Sequence, residues 1–171
     1  MENLIDLLTT HPTSKQVCQS YIRTLSSSIS PEELEAANPP VSITIIGCGQ
    51  PDLIEMYKSE TGCRFTLLAE PTRKIYDTLG MTRTLELGAK KPDYFKSGLF
   101  AAIVQSISQG IRAGTGALRG GDIKQVGGEF LFENGKLVWS HRMKNTQDHT
   151  EVPEIRKVIG LTKESEESTN K

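Results

Sequence analysis

Three cysteines, Cys18, Cys48 and Cys63, are the residues of this sequence best suited to nucleophilic or redox chemistry. A cysteine reacts as its thiolate, which a helix N-terminus or a neighbouring cation favours. Cys18 falls within the first turns of an expected helix, between Lys15 and Arg23, so both influences bear on it. The alternative is a small apolar group packed from a helix face onto a sheet. Cys48 lies in Gly47-Cys48-Gly49, just past the run Val41–Ile46 and just before a helix opened by Pro51. That is the carboxyl end of a strand, where α/β folds place their sites. Two chemistries fit this turn: dinucleotide binding through Gly-x-Gly, and thiol chemistry through Cys48. Cys63, after Gly62 at an expected helix end, reads as structural. Arg142 and His141 close an expected hairpin, and Arg73 opens a helix. An arginine near a thiolate stabilises it and polarises a peroxide, whereas exposed arginines at strand ends commonly serve as solvated surface. His11, His141 and His149 lack metal-ligand spacing, and Asp148 and His149 read as loop residues.

The elements that must position these groups follow from periodicity. Leu4, Ile5, Leu7 and Leu8 fit a short helix or a short strand, closed by Pro12. Cys18, Tyr21, Ile22, Leu25 and Ile29 recur at helical spacing, with Ser14 as N-cap. Ser30-Pro31-Glu32-Glu33 is a capping box, and Asn38-Pro39-Pro40 ends the helix it starts. After the Val41–Ile46 strand, a helix is expected over Asp52–Thr61, ended by Gly62. A strand over Phe65–Leu68 and a helix over Thr72–Leu79 come next. This alternation is a parallel-sheet pattern. Thr82–Lys96 is polar, Leu99–Ile111 has a helical apolar face, and a glycine-rich stretch runs from Gly110 to Gly128. That stretch lacks the Lys-Ser/Thr ending of a phosphate loop and reads as a connector. Glu129–Glu133 and Leu137–Ser140 flank Asn134-Gly135, a strong hairpin signal. A last helix is expected over Val152–Ile159, capped by Gly160, before a polar tail over 162–171 that reads as disordered.

Composition narrows the classes. The 171 residues suit one domain, 1–161, with a core that needs no metal or disulfide support. A net charge of −1 and a pI near 6.3 supply no field toward nucleic acid or membrane. No stretch has transmembrane length, and the N-terminus lacks signal-peptide features. A cytoplasmic protein without a cofactor or metal is expected. The cysteines are too few and irregular for a secreted framework or a zinc site.

The dinucleotide reading has content, because Glu70 ends the next strand at a separation suited to a ribose hydroxyl. Against it, the third glycine position is Asp52, whose charge would oppose a pyrophosphate, and Pro51 removes one N–H. A Rossmann-type nucleotide-binding protein is therefore a distant alternative. Parallel units, then a hairpin, then a terminal helix fit a thioredoxin-type sandwich better.

The run Glu70-Pro71-Thr72-Arg73-Lys74-Ile75-Tyr76-Asp77-Thr78-Leu79-Gly80-Met81 sharpens the choice. It resembles the acidic-Pro-x-Arg-x-x-Tyr-x-x-Leu-Gly-Met pattern of the peroxiredoxin-like, AhpC/TSA antioxidant-enzyme family. Ile45–Gly49, Gly121–Phe130, and Trp139–Arg142 with Asp148-His149 agree with the same family, and the resemblance spans about Val17 to Leu161. It implies a thioredoxin-like α/β sandwich with a peroxiredoxin-like insertion between Thr82 and Gly120. It also implies a thiol-dependent antioxidant redox protein that reduces a peroxide or disulfide with electrons from thioredoxin or glutathione. One departure matters. Family members carry a strand and then Cys-x-x-Cys at the head of the first helix; here Cys18 takes the second cysteine's place and Lys15 the first. Thr9–Ser14 does not resemble the expected apolar strand, and only Leu4–Thr9 is available for that role. The resemblance therefore implies either a member without the attacking thiol or one with a replaced N-terminal segment, through alternative splicing or a mispredicted exon. With Cys-x-x-Cys incomplete, catalysis is impaired, and Cys18, Cys48 and Arg142 are the candidate catalytic residues. Cys18 remains open to sulfenylation or glutathionylation, and Cys48 to a fallback resolving role. A binding or regulatory module on the same fold is the alternative.

Overall fold

A β-branched run with few polar interruptions is what a strand covered on both faces requires. In the computed structural model Val41–Gly47 forms such a strand, with Val41, Ile43, Ile45 and Ile46 all buried. The structure describes residues 3–9, 15–86, 88, 121–122 and 124–161, with 3–9 and 15–17 by backbone alone. In chain order the elements are β1 Asn3–Thr9, α1 Lys15–Ser28, α2 Pro31–Glu35, β2 Val41–Gly47, α3 Ile54–Thr61, β3 Thr66–Ala69, α4 Lys74–Thr78, β4 Gly128–Glu133, β5 Lys136–Arg142 and α5 Val152–Val158. One sheet has the order β3-β2-β1-β4-β5. β1 and β2 pair in parallel, as do β2 and β3, whereas β4 runs antiparallel to both β1 and β5.

Parallel crossovers followed by an antiparallel hairpin and a helix, with the first strand central, make a thioredoxin-like fold. The strand role open to Leu4–Thr9 is filled by Asn3–Thr9, which is held on both edges, Thr9 opposite Gly47 and Leu7 opposite Glu129. The nucleotide-binding alternative is corrected here. A doubly wound sheet needs further parallel strands beyond β3, but among the described residues the next strands are antiparallel and lie beyond β1. The Gly47-Cys48-Gly49 turn also does not aim a helix N-terminus at a phosphate. A single 3-10 turn, Pro51–Leu53, intervenes before α3.

The sheet separates two apolar clusters. On one face Tyr21, Ile22 and Leu25 of α1, with Ile29 just past its end, pack with Ile43, Ile45, Leu131 and, from α5, Val152 and Ile155. Each large side chain so buried contributes about 1.5–3 kcal/mol before the entropy of ordering it. On the other, Ile46, Cys48, Tyr76, Met81 and Phe130 form a smaller cluster. The alternation of β4 thus sends Leu131 to the first face and Phe130 to the second. Asn134 and Gly135 close the hairpin with φ of 53° and 74°, the backbone that a two-residue turn of this sequence favours. The helix expected over Leu99–Ile111, nearly all of the Thr82–Gly120 insertion, the glycine-rich stretch up to Gly120, and the tail from residue 162 lie outside the described residues.

Candidate active site

Helical spacing places Cys18, Tyr21, Ile22 and Leu25 on one face of α1, and all four are buried. Cys18 therefore enters the protein from the first turn of α1, where the helix dipole favours negative charge. β4 supplies the opposing group. Glu129 is two residues from Leu131, so it shares the α1-covered face, and its carboxylate is buried. A carboxylate there must find partners or lose its charge.

Its partners come from the loop after β5. His149 Nδ1 donates to Glu129 Oε1 at 2.8 Å, while Thr150 donates to Oε2 through its backbone N–H at 3.4 Å and its hydroxyl at 3.2 Å. The other ring nitrogen, Nε2, lies 3.5 Å from Cys18 Sγ. Tyr21 stacks on the imidazole, with centroids 4.2 Å apart and planes 7° from parallel. A thiol, an imidazole and a carboxylate are thus joined in one line, each 6 % exposed or less. Nucleophile, base and orienting acid in hydrogen-bond sequence is the arrangement that activates a thiol.

The loop is fixed to present His149. Met143 N–H donates to Gly127 O and Thr146 N–H to Glu86 O. The Asp148 carboxylate accepts from Lys144 N–H at 2.8 Å, and His141 Nε2 donates to the Asp148 carbonyl at 2.6 Å. Burial alone would push the His149 imidazole down. Its hydrogen bonds to Cys18 and Glu129, with the negative charge they carry, outweigh that and hold it at about 10. The ring is consequently a cation at neutral pH, and a cation facing sulfur favours the thiolate.

Cys48 sits elsewhere at the same end of the sheet, in the smaller cluster with Tyr76, Met81 and Phe130. Gly121, at φ +100°, lies directly over it: a Cβ there would fall 2.4 Å from Cys48 O and 2.7 Å from its Sγ. The space above the glycine turn is therefore filled by the chain itself. Arg73 pairs closely with Asp122, and Arg83 Nε lies 3.6 Å from the same carboxylate, which ties this cover down. Tyr76 donates to Ile46 O at 2.8 Å. Burial pushes its phenol well above the ordinary value, and the charges of Cys48 and Cys18 act in the same direction. Both sulfurs are therefore within electrostatic reach of one phenol.

Arg142 donates from Nε to Leu79 O at 2.6 Å and from a terminal nitrogen to Ser140 Oγ at 3.0 Å. Its guanidinium carbon lies 5.3 Å from the Phe130 ring centroid. Cys63 is buried beside Phe65 O, and burial pushes its thiol up. Of the candidates, Cys18 is joined to the buried relay, while Cys48 and Arg142 border the smaller cluster on the opposite face through Phe130. Glu129 and His149 escaped the sequence reading. Lying 111 and 131 residues from Cys18, they have no shared motif; the available signal was a carboxylate at a core-facing register of β4. Among the described residues, no group of His, Cys, Asp and Glu forms a cation site, and no helix is long and apolar enough to cross a membrane.

Comparison with known proteins gives consistent matches. The family model described as AhpC/TSA antioxidant enzyme matches residues 24–145. Peroxiredoxin-like 2C of Homo sapiens is 30% identical over 149 residues, covering 85% of this chain and 63% of the relative. Its counterpart in Mus musculus matches with the same identity and coverage. The chain thus spans less than two thirds of the length of these relatives. Among solved structures, a peroxiredoxin-like protein from Aquifex aeolicus gives a TM-score of 0.48 at 12% identity, covering 92% of this chain and 70% of that one.

Proposed function

From the family to which this chain belongs, the AhpC/TSA antioxidant enzymes, we propose that it is a thioredoxin-fold redox protein whose operative thiol is Cys18. Cys18 reduces a peroxide or disulfide by its own oxidation, and a cellular thiol system, thioredoxin or glutathione, returns it to the reduced state. The observation that carries this reading is the 3.5 Å contact between Cys18 Sγ and a buried imidazole that is itself oriented by a carboxylate. Turnover is low. Lys15 stands where the family's attacking cysteine would be, and Cys18 is 1 % exposed, so a bulky reductant meets a shielded sulfur. Cys48 serves as a fallback thiol at the same end of the sheet, and Arg142, over Phe130 of the same cluster, as the supporting cation for that thiol rather than for Cys18. The expected compartment is the cytoplasm, where thiols stay reduced, with neither nucleic acid nor membrane as partner.

The same burial favours a second reading, a binding or regulatory module in which Cys18 is an internal packing group. One experiment separates the two. The chain is exposed to hydrogen peroxide with a dimedone probe and mapped by mass spectrometry, alongside a peroxidase assay driven by thioredoxin or glutathione. Labelling at Cys18 with slow turnover, abolished in Cys18→Ser, is the expected result. No label on Cys18 or Cys48 supports the module, and fast turnover lost in Cys18→Ser overturns the impaired reading.

A further inference from the structure

The relay holds more than a reactive sulfur. An uncharged thiol beside an uncharged imidazole, and a thiolate beside an imidazolium, contain the same number of protons. In the second form the nucleophile and a proton donor stand 3.5 Å apart. Glu129 accepts from Nδ1, which leaves Nε2 as the nitrogen that faces sulfur. Cys18 and Tyr21 from α1 and Glu129 from β4 meet this ring, and Thr150 from its own loop meets the same carboxylate.

Resting on the reading of Cys18 as the redox thiol, we infer that His149 is a catalytic general acid for reduction of a small, uncharged hydroperoxide, with Glu129 as its positioning residue. The Cys18 thiolate attacks one oxygen of hydrogen peroxide, forming S–O as O–O breaks. The departing hydroxide takes the proton from His149 Nε2 and leaves as water. Sulfur loses two electrons and the peroxide gains them. The products are Cys18 sulfenic acid, water and a neutral imidazole, so negative sulfur and positive ring are discharged together, and the one charge left is the Glu129 carboxylate, still held by His149 Nδ1–H and Thr150. The net charge of the relay is the same before and after the step, which suits a site whose members are each 6 % exposed or less, because a new buried charge is costly. The same closure sets the substrate class. With Cys18 1 % exposed, hydrogen peroxide reaches the sulfur more readily than a bulky organic hydroperoxide.

The test compares two reagents on the full chain, read at the Cys18 peptide by mass spectrometry. Hydrogen peroxide needs a proton for its leaving group; iodoacetamide expels iodide and needs none. In His149→Asn the peroxide rate should fall about 100-fold beyond any fall in the iodoacetamide rate, the size of effect a positioned acid supplies. Equal falls in both rates would reduce His149 to a setter of ionisation and overturn the inference. Glu129→Gln gives an independent reading should His149→Asn fail to fold. The peroxide-to-iodoacetamide ratio should stay level from pH 6 to 9 in the native chain and drop across that range in Glu129→Gln; a level ratio in both refutes the role. Cumene hydroperoxide should label Cys18 far more slowly than hydrogen peroxide, and equal rates refute the substrate class. A native chain alkylated at Cys18 but sulfenylated by no peroxide would remove the redox reading itself. Sulfenylation with an unchanged reagent ratio in His149→Asn would remove only the acid.

Discussion

Replacing Glu129 by Gln tests whether the buried relay is an ion pair, because size and shape are kept while one charge is removed. In the native protein Oε1 accepts from His149 and Oε2 accepts from Thr150 N–H and the Thr150 hydroxyl. A glutamine offers one acceptor oxygen and one NH₂ group, so whichever way it turns a donor meets a donor. The Thr150 hydroxyl can rotate to accept; the Thr150 N–H and the His149 Nδ1–H cannot both be served. Hydrogen bonds to charged groups are each worth about 1.5–3 kcal/mol, and removing one member of a buried pair costs about 3–5 kcal/mol. Neutralisation of the imidazole recovers part of that. The expected loss is therefore about 2–4 kcal/mol, or a fall in Tm of roughly 5–12 °C for a domain of this size. Urea unfolding at pH 7 measures it, with an unchanged m-value as the sign that the native state is still the comparison. The pH dependence follows from His149, whose folded pKa is raised from 6.5 to about 10. Its contribution to stability is complete below pH 6.5 and is lost as pH rises through about 10. The gap between native chain and Glu129→Gln should accordingly narrow as pH climbs from 7 to 10. A loss below about 0.5 kcal/mol, the range of an ordinary surface substitution, or a gap that stays constant with pH, would refute the ion pair.

Two further substitutions probe the cover over Cys48 and the neighbouring arginine. Gly121→Ala must place a Cβ 2.4 Å from Cys48 O at φ +100°, so it should cost about 1–3 kcal/mol of overpacking on top of backbone strain. Gly135→Ala, at φ +74° with open space around it, should cost only the strain, about 1–2 kcal/mol, and thermal melts of the pair compare the two directly. Arg142→Ala loses its bond to Leu79 O and its place over Phe130, a loss of about 1 kcal/mol. Dimedone labelling of Cys18 should proceed at its native rate in that variant, and a slowed rate would show that Arg142 acts on the thiolate.

Much of the fold follows from local pattern because the elements are periodic where they are buried. α1 shows its helical stripe in Tyr21, Ile22 and Leu25, continued by Ile29 just past its end, all fully buried, and Asn134-Gly135 fixes the hairpin through its left-handed backbone. Boundaries moved where side chains compete for backbone. The helix expected to start at Thr72 starts at Lys74, because the Glu70 carboxylate takes the N–H groups of Thr72 and Ile75 and Arg73 adopts φ 62°. Leu4, Ile5, Leu7 and Leu8 fit helix and strand alike because Asp6 interrupts a run too short to show a period. What selects the strand is non-local: seven residue pairs with β2 on one edge and five with β4 on the other.

The relay was harder to read, and the reason is physical. Periodicity reports which face of an element is covered, but says nothing about which distant side chain meets it there. Cys18 was visible as a helix-face cysteine, and that description is right as far as it goes. His149 reads as a loop histidine, which it is, until the loop is seen folded over α1 with Tyr21 against the ring. Glu129 carried the one usable signal. In a strand whose Leu131 faces the main core, a glutamate two residues away must face the same core. A carboxylate cannot stay charged there alone. Its presence demands a buried donor, and a histidine from the following loop is the economical answer. A buried glutamate in β4 is thus the residue from which His149, and then the thiol it faces, follow in turn.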